Sequence, residues 1–410
     1  MEYYFLGLCN QLEMIFATRN LEDSFIDLIL NVDGVPLFKS SGSTLWPVLG
    51  AIANISPPHV FPIALTYGHS KPENLDFLSD TISELSDLLE NGIHIDDNNV
   101  TVTLKGIICD APARAFIKLS KQYSGYYGCD KCSQKGEWVG RMTYPIAKEF
   151  EKRTDGSFRD KANEEHHHGT SPFCDLPIDM VKCFPVDYMH QACLGVMRKL
   201  LLIWIRGKGR LLDVRMSAAH VARVSEKLVA MKCSVPSEFQ RKPRSLTEID
   251  RWKATELRQC LLYTGKLCFE GILRKDLYDH FMALSVATCI LACPSHASKY
   301  SEYASELMIY FNEQGRVLYG PEFLVYNVHS MVHLADEAAE FGNLDACSAF
   351  AFENYLQRLK RLVRSGKQPL IQIASRLSER CGMQVSNHDA GVVSVSVSKP
   401  NNCYILSDTS

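Results

Sequence analysis

The sequence has no apolar run approaching the roughly 18 residues of a membrane-spanning helix. Its first residues, Met1-Glu2-Tyr3-Tyr4-Phe5, lack the basic segment and long apolar stretch of a secretory leader. Both absences predict a cytosolic or nuclear protein with no membrane partner. An excess of either charge is missing too, since 44 Lys and Arg face 47 Asp and Glu for a net −3. The chain as a whole therefore does not advertise nucleic-acid binding. Carboxylates that hold divalent cations can still handle phosphate without a basic chain. The compositional bias of disordered or fibrous proteins is absent at 46% hydrophobic and 22% charged residues. Closely paired cysteines are scarce. The 15 cysteines are scattered through apolar surroundings, as reduced buried thiols are, and only Cys129 and Cys132 have ligand spacing.

A chain of 410 residues exceeds one compact unit, which predicts a core with one large insertion, or two domains. Residues 27–38 (DLILNVDGVPLF), 46–55 (WPVLGAIANI) and 59–67 (HVFPIALTY) read as three strands. Residues 75–90 place Phe77, Ile82, Leu85, Leu88 and Leu89 at helical spacing and stop at Asn91-Gly92. Residues 100–110 alternate and then run apolar, as a central buried strand does, and a helix is expected over 111–122. Three strands, a helix, a strand and a helix is the element order of an RNase H-like core, though many α/β domains share parts of it. Over 133–320 helical patterns dominate without an internal repeat, at 194–204, 217–231, 249–262 and 273–292. They follow a polar loop, 153–172, that contains His166, His167 and His168 and reads as a loop rather than a metal site. A helix is expected over 350–364, and 392–397 (VVSVSV) returns to strand alternation.

Asp33 interrupts the first strand pattern, and a carboxylate there is costly unless paired or bound to a metal. An Asp-Gly turn explains it equally well. Asp110 ends the central strand and precedes Ala111-Pro112, so it reads as a helix cap that could still offer an oxygen to a metal. Cys129-Asp130-Lys131-Cys132 follows a Gly-rich turn, as a zinc knuckle does, and needs two more ligands. His329 and His333, spaced i and i+4, would share one helix face. Four protein ligands leave no open position, so this would be structural metal. Glu353 sits beside the buried face formed by Phe352, Leu356, Leu359 and Val363, whereas Glu337, Glu340 and Asp345 lie in a more polar, solvated stretch. Arg358, Lys360, Arg361 and Arg364 form a basic stripe suited to phosphate, or simply a solvated face. Asp187-x2-His190 reads either as a helix start or as a polar contact supporting a site.

Taken in order, Asp33, Asp110, Cys129-x2-Cys132, a long insertion, His329-x3-His333 and Glu353 resemble the catalytic core of the CACTA (EnSpm)-like DDE transposases. A CxxC after the second Asp and a histidine pair before the Glu also occur in the related V(D)J recombinase core. NVDGVPLFKSSG, IICDAPARAF, GCDKC, FPVDYMHQACLGVMRKL, RKPRSLTEIDRWKATE and FENYLQRLKRLVR are similar to transposase domain-containing proteins of animal transposon origin. The resemblance implies an α/β fold, an RNase H-like catalytic core interrupted by a large mainly helical insertion. Residues 1–132 would begin the core, 133–320 form the insertion, 321–370 carry the zinc histidines and last catalytic helix, and 371–410 form a truncated tail. Asp33, Asp110 and Glu353 would hold two Mg2+ (or Mn2+) ions for strand cleavage and transfer, with Asp187-x2-His190 nearby. Cys129, Cys132, His329 and His333 would hold structural Zn2+. Implied partners are transposon ends and target DNA, with a homodimer and a nuclear location. The DNA-binding region usual upstream is not in this sequence, so a domesticated or inactive DNA-binding derivative is the alternative expectation.

Overall fold

The computed structural model describes residues 1–19, 24–38, 42–55, 57–95, 98–145 and 151–384. The strand pattern at 392–397 lies outside them. The chain opens with β1 (Glu2–Phe5) and α1 (Leu8–Arg19), followed by β2 (Phe25–Val32), the short β3 (Val35–Pro36), β4 (Thr44–Ile52) and β5 (His59–Gly68). After these come α2 (Ser79–Asn91), β6 (Ile93–Ile95), β7 (Asn98–Ile108) and α3 (Ala111–Ile117). The sheet runs β1-β5-β4-β2-β7-β6, with β3 paired to β4. β5, β4 and β2 are antiparallel neighbours, and β7 joins β2 in parallel. The fold is thus mixed α/β around a mixed sheet.

Both sheet faces are covered, which explains why the strands read as nearly continuous apolar runs. On one face Ile26, Leu28, Leu30 and Val32 of β2 pack with Leu8 and Leu12 of α1, Leu85 and Leu88 of α2, and Ile117 of α3. Alternate residues, Ile29, Leu49, Leu65 and Ile108, point to the other face. That face is covered by helices from the far end of the chain.

The intervening chain, from Val186 to Leu344, builds a separate hydrophobic core. Ahead of it β8 (Glu137–Trp138) and β9 (Met142–Thr143) form a small hairpin. The expected helix at 194–204 begins earlier, as π-wound turns over Met189–Met197 continued by α4 (Arg198–Arg206). α5 (Ala218–Ala230) starts at a Ser217 cap. The pattern at 249–262 breaks into a 3-10 turn, an α turn and a π turn, because Trp252 and Lys253 are extended. α6 (Lys275–Ala292) and α7 (Ser301–Tyr319) complete this block around Trp204, Phe281 and Phe311. The chain then returns to the sheet through α8 (Phe350–Leu362) and α9 (Pro369–Gln384), whose Phe352, Leu356, Leu359 and Ile373 cover the second face. Residues 371–384, expected in a tail, belong to this covering layer.

Candidate acid cluster and metal centre

β2 and β7 run parallel with Asn31 opposite Ile108, and Asn31 Nδ2 donates to the Ile108 carbonyl at 2.7 Å. Asp33 and Asp110 therefore leave the carboxyl ends of adjacent strands. Asp33 Oδ1 accepts from Gly34 N at 2.7 Å. Asp110 caps α3, its Oδ1 accepting from Ala113 N at 2.7 Å, with Pro112 in the first turn where no N–H is needed. Both local explanations hold, and both carboxylates still share one neighbourhood.

Glu353 reaches that neighbourhood from the first turn of α8. Burial, and then repulsion from Asp110 and Glu353, hold Asp33 up at about 7, against the attraction of His190. Burial also raises Glu353, opposed by His190 and reinforced by Asp187 and Asp110. The sequence-predicted acids Asp33, Asp110 and Glu353 are brought together, although they lie 320 residues apart at the extremes (353 − 33).

His190 lies inside the cluster, its Nε2 3.8 Å from Glu353 Oε1. Its Nδ1–H is held by Asp187 Oδ2 at 2.6 Å. Asp187 is 1% exposed and also accepts from His190 N at 3.2 Å, Met189 N at 3.1 Å and Ala349 N at 3.0 Å. It thus caps the turns at 189 and ties them to the start of α8. Burial works against protonation of His190, but the Asp187 hydrogen bond and the charges of Asp187, Asp110 and Asp33 raise it to about 9. A cavity of about 670 Å³ opens beside His190 and Glu353, with Arg198, Arg241, Arg358 and Arg361 on its walls. Of the basic stripe on α8, Lys360 is nearer the acids. Burial lowers it and the charges of Glu353 and Asp33 raise it.

Cys129, Cys132, His329 and His333 are all buried, with their ligand atoms within 4.8 Å of one another. Cys129 Sγ lies 3.5 Å from His333 Nε2, and Cys132 Sγ lies 3.3 Å from His329 Nε2. A zinc tetrahedron with Zn–S near 2.3 Å and Zn–N near 2.0 Å has S–N edges of about 3.5 Å. The donors fit the group, and the cluster can hold a metal such as structural zinc. The histidines do not lie on one regular α-helix as expected. The α turn Tyr326–His329 tightens to a 3-10 turn at Ser330–His333, which still brings the rings to 5.3 Å. Burial opposes ionisation of Cys129, but a hydrogen bond from Cys132 and the two imidazoles lower it well below an ordinary thiol.

The knuckle is held from three sides. Lys118 Nζ lies 2.8 Å from Asp130 Oδ1, and Arg114 Nε lies 3.5 Å from Asp130 Oδ2. Lys131 Nζ meets Glu337 at 2.8 Å. Glu337, expected to be solvated, is 3% exposed because it takes this partner. Asp345 stays exposed, as expected, while accepting from Arg258 at 2.7 Å and pairing with the Tyr188 hydroxyl. The histidine run is no mere polar loop either. His166 is fully buried, and its Nδ1–H donates to the Tyr127 carbonyl at 2.7 Å.

No protein-family model matches this sequence, and no curated protein matches it significantly.

Proposed function

We propose that this chain is the catalytic core of a DDE-type DNA transposase, with Asp33, Asp110 and Glu353 as its acid triad. The observation that carries the reading is that these carboxylates, from two adjacent strand ends and a helix far along the chain, share one neighbourhood, where Asp110 and Glu353 repel the charge of Asp33 and Asp110 repels that of Glu353. A cluster of mutually repelling carboxylates is what divalent cations relieve. The sheet order, three antiparallel strands followed by a parallel one, supports an RNase H-like core. When bound, two Mg2+ or Mn2+ ions would supply the charge that activates a hydroxyl and stabilises the leaving oxygen. The protein's part is to hold the three carboxylates, to fix Glu353 through the Asp187–His190 contact, and to present Arg358 and Arg361 to strand phosphates. The cluster at Cys129, Cys132, His329 and His333 would hold structural Zn2+ and pin the return of the chain to the core. Transposon ends and target DNA would be the partners, in the nucleus, with the active unit a homodimer. The test is Mg2+-dependent nicking of end-sequence DNA. Asp110→Ala should abolish it, and undiminished nicking would remove the triad.

A second reading has its own observation. His190 places an imidazole 3.8 Å from Glu353, a counter-charge for the acids that needs no cation, and the net charge of −3 gives no overall basic excess. Both suit a domesticated derivative that binds DNA or a protein without cutting. Folded protein that binds DNA yet cleaves no end sequence in Mg2+ or Mn2+ would favour it.

A further inference from the structure

A second cavity, of about 680 Å³, contains none of the acidic triad and lies where the β8–β9 hairpin meets α4 and the segment after it. α4 and the turns before it supply two adjacent stripes. Leu194, Arg198 and Leu202 follow at i, i+4 and i+8, beside Gly195, Lys199 and Ile203. A side chain at Gly195 would collide with Asn327, its Cβ lying 2.5 Å from Asn327 Nδ2, so the close helix crossing that forms one wall needs glycine there.

The floor is apolar, made by Leu202, Ile203, Leu211 and Phe323. Around it stand six cations. Arg206 is paired with Asp250 at 2.7 Å, and Arg210 is paired with Glu322. Among the described residues, Arg141, Arg198, Lys199 and Lys208 make no salt bridge. Lys199 Nζ lies over the Phe323 ring, 5.4 Å from its centroid. Burial and the nearby Arg141 charge lower its proton affinity to about 8. Shielding a cation beside another cation, without a counter-charge, is unfavourable until an anion enters.

We propose that this cavity binds a nucleoside di- or triphosphate, with the base on the apolar floor and the phosphates against Arg141, Arg198, Lys199 and Lys208. Its volume falls in the range of roughly 300–1,000 Å³ typical of small-molecule sites. Four cations outside any salt bridge match the charge of a polyphosphate, and arginine forks suit phosphate oxygens. An inositol polyphosphate offers no flat apolar face to the Phe323 floor, whereas a purine does. The proposal does not rest on the acid triad.

The test is titration of the full 410-residue chain with a fluorescent ATP analogue, without added magnesium or chelator. Saturable binding is expected. It should weaken at least about tenfold in Lys199→Ala and in Arg141→Ala, as loss of a charge-assisted hydrogen bond does. Lys208→Ala, on an exposed loop, supplies a variant that leaves the packed helix intact. Glu353→Gln should bind like the parent, which separates this cavity from the acid cluster. Unchanged affinity in both lysine variants would overturn the proposal. So would equal competition by inorganic triphosphate or inositol hexakisphosphate, or capture of a short DNA duplex in preference to the nucleotide.

Discussion

Lys118 Nζ sits 2.8 Å from Asp130 Oδ1, both fully or nearly buried, and this contact joins the two candidate centres. Lys118 follows the last turn of the helix that Asp110 caps, and Asp130 lies between the two cysteine ligands. The Asp130 charge also offsets Arg114, which donates to the Pro185 carbonyl at 2.8 Å and to Tyr326 Oη at 2.6 Å. Asp130→Asn should therefore leave two buried cations uncompensated and cost about 3–5 kcal/mol. Urea denaturation of the variant measures it, and a loss under about 1 kcal/mol would contradict the linkage.

Metal removal should act on folding rather than on chemistry alone. The purified chain is expected to carry one zinc, by elemental analysis, and Cys129→Ser or His333→Ala to lose it. Chelation should lower the melting temperature, because the metal binds the folded arrangement far better than the unfolded chain.

The two roles of Asp110 can be separated. Asp110→Asn keeps a good helix cap but removes the charge, so stability should change by less than about 1 kcal/mol. Nicking should still fall by about a thousandfold or more, the loss of roughly 4 kcal/mol of transition-state stabilisation. Asp110→Ala should lose both. Equal nicking by Asn and Asp at this position would confine Asp110 to capping.

Acid should destabilise the helical block through His280. It is 1% exposed, its Nε2–H donates to the Phe311 carbonyl at 2.8 Å, and its Nδ1 lies 3.3 Å from Tyr319 Oη. Burial lowers its proton affinity to about 4, against smaller upward effects of the Phe311 carbonyl and Asp276. The unfolded chain takes a proton near pH 6.5 and the fold resists until about 4, so this stability is complete above roughly pH 6.5 and is lost as pH falls. His280→Gln should shrink the stability difference between pH 7 and pH 5 by about 2 kcal/mol. An unchanged difference in denaturation midpoints would show that another group carries it.

Much of the site was legible because its residues punctuate strong patterns. Asp33 and Asp110 interrupt apolar strands, Cys129-x2-Cys132 has ligand spacing, and Glu353 flanks an amphipathic stripe. The strands at 46–55 and 59–67 stand within a few residues of β4 and β5. What pattern reading missed depended on distant partners. α1 has apolar residues spread too evenly to form a stripe, and it is stabilised by α2 and the sheet. The helix expected over 111–122 stops at Ile117 because Leu119 takes a left-handed φ of 50° and Ser120 bridges His167. Glu337 and His166 looked polar and solvated, because Lys131 and the Tyr127 carbonyl, which satisfy them, are far away in sequence. His190 carried one usable signal, the Asp three residues earlier, which read equally well as a helix start.

The metal cluster also sets a timetable for synthesis. Cys132 and His329 are 197 residues apart in the chain, and all seven strands of the main sheet lie before Cys129, the first member of the cluster. At about 5–20 residues per second, the thiols emerge roughly 10–40 s before the imidazoles that complete their cluster. Glu353 is made later still. A nascent chain can therefore assemble its sheet and present two aspartates while the third carboxylate is still untranslated, so any cutting activity would arise only after the helical block has been built and the cluster closed.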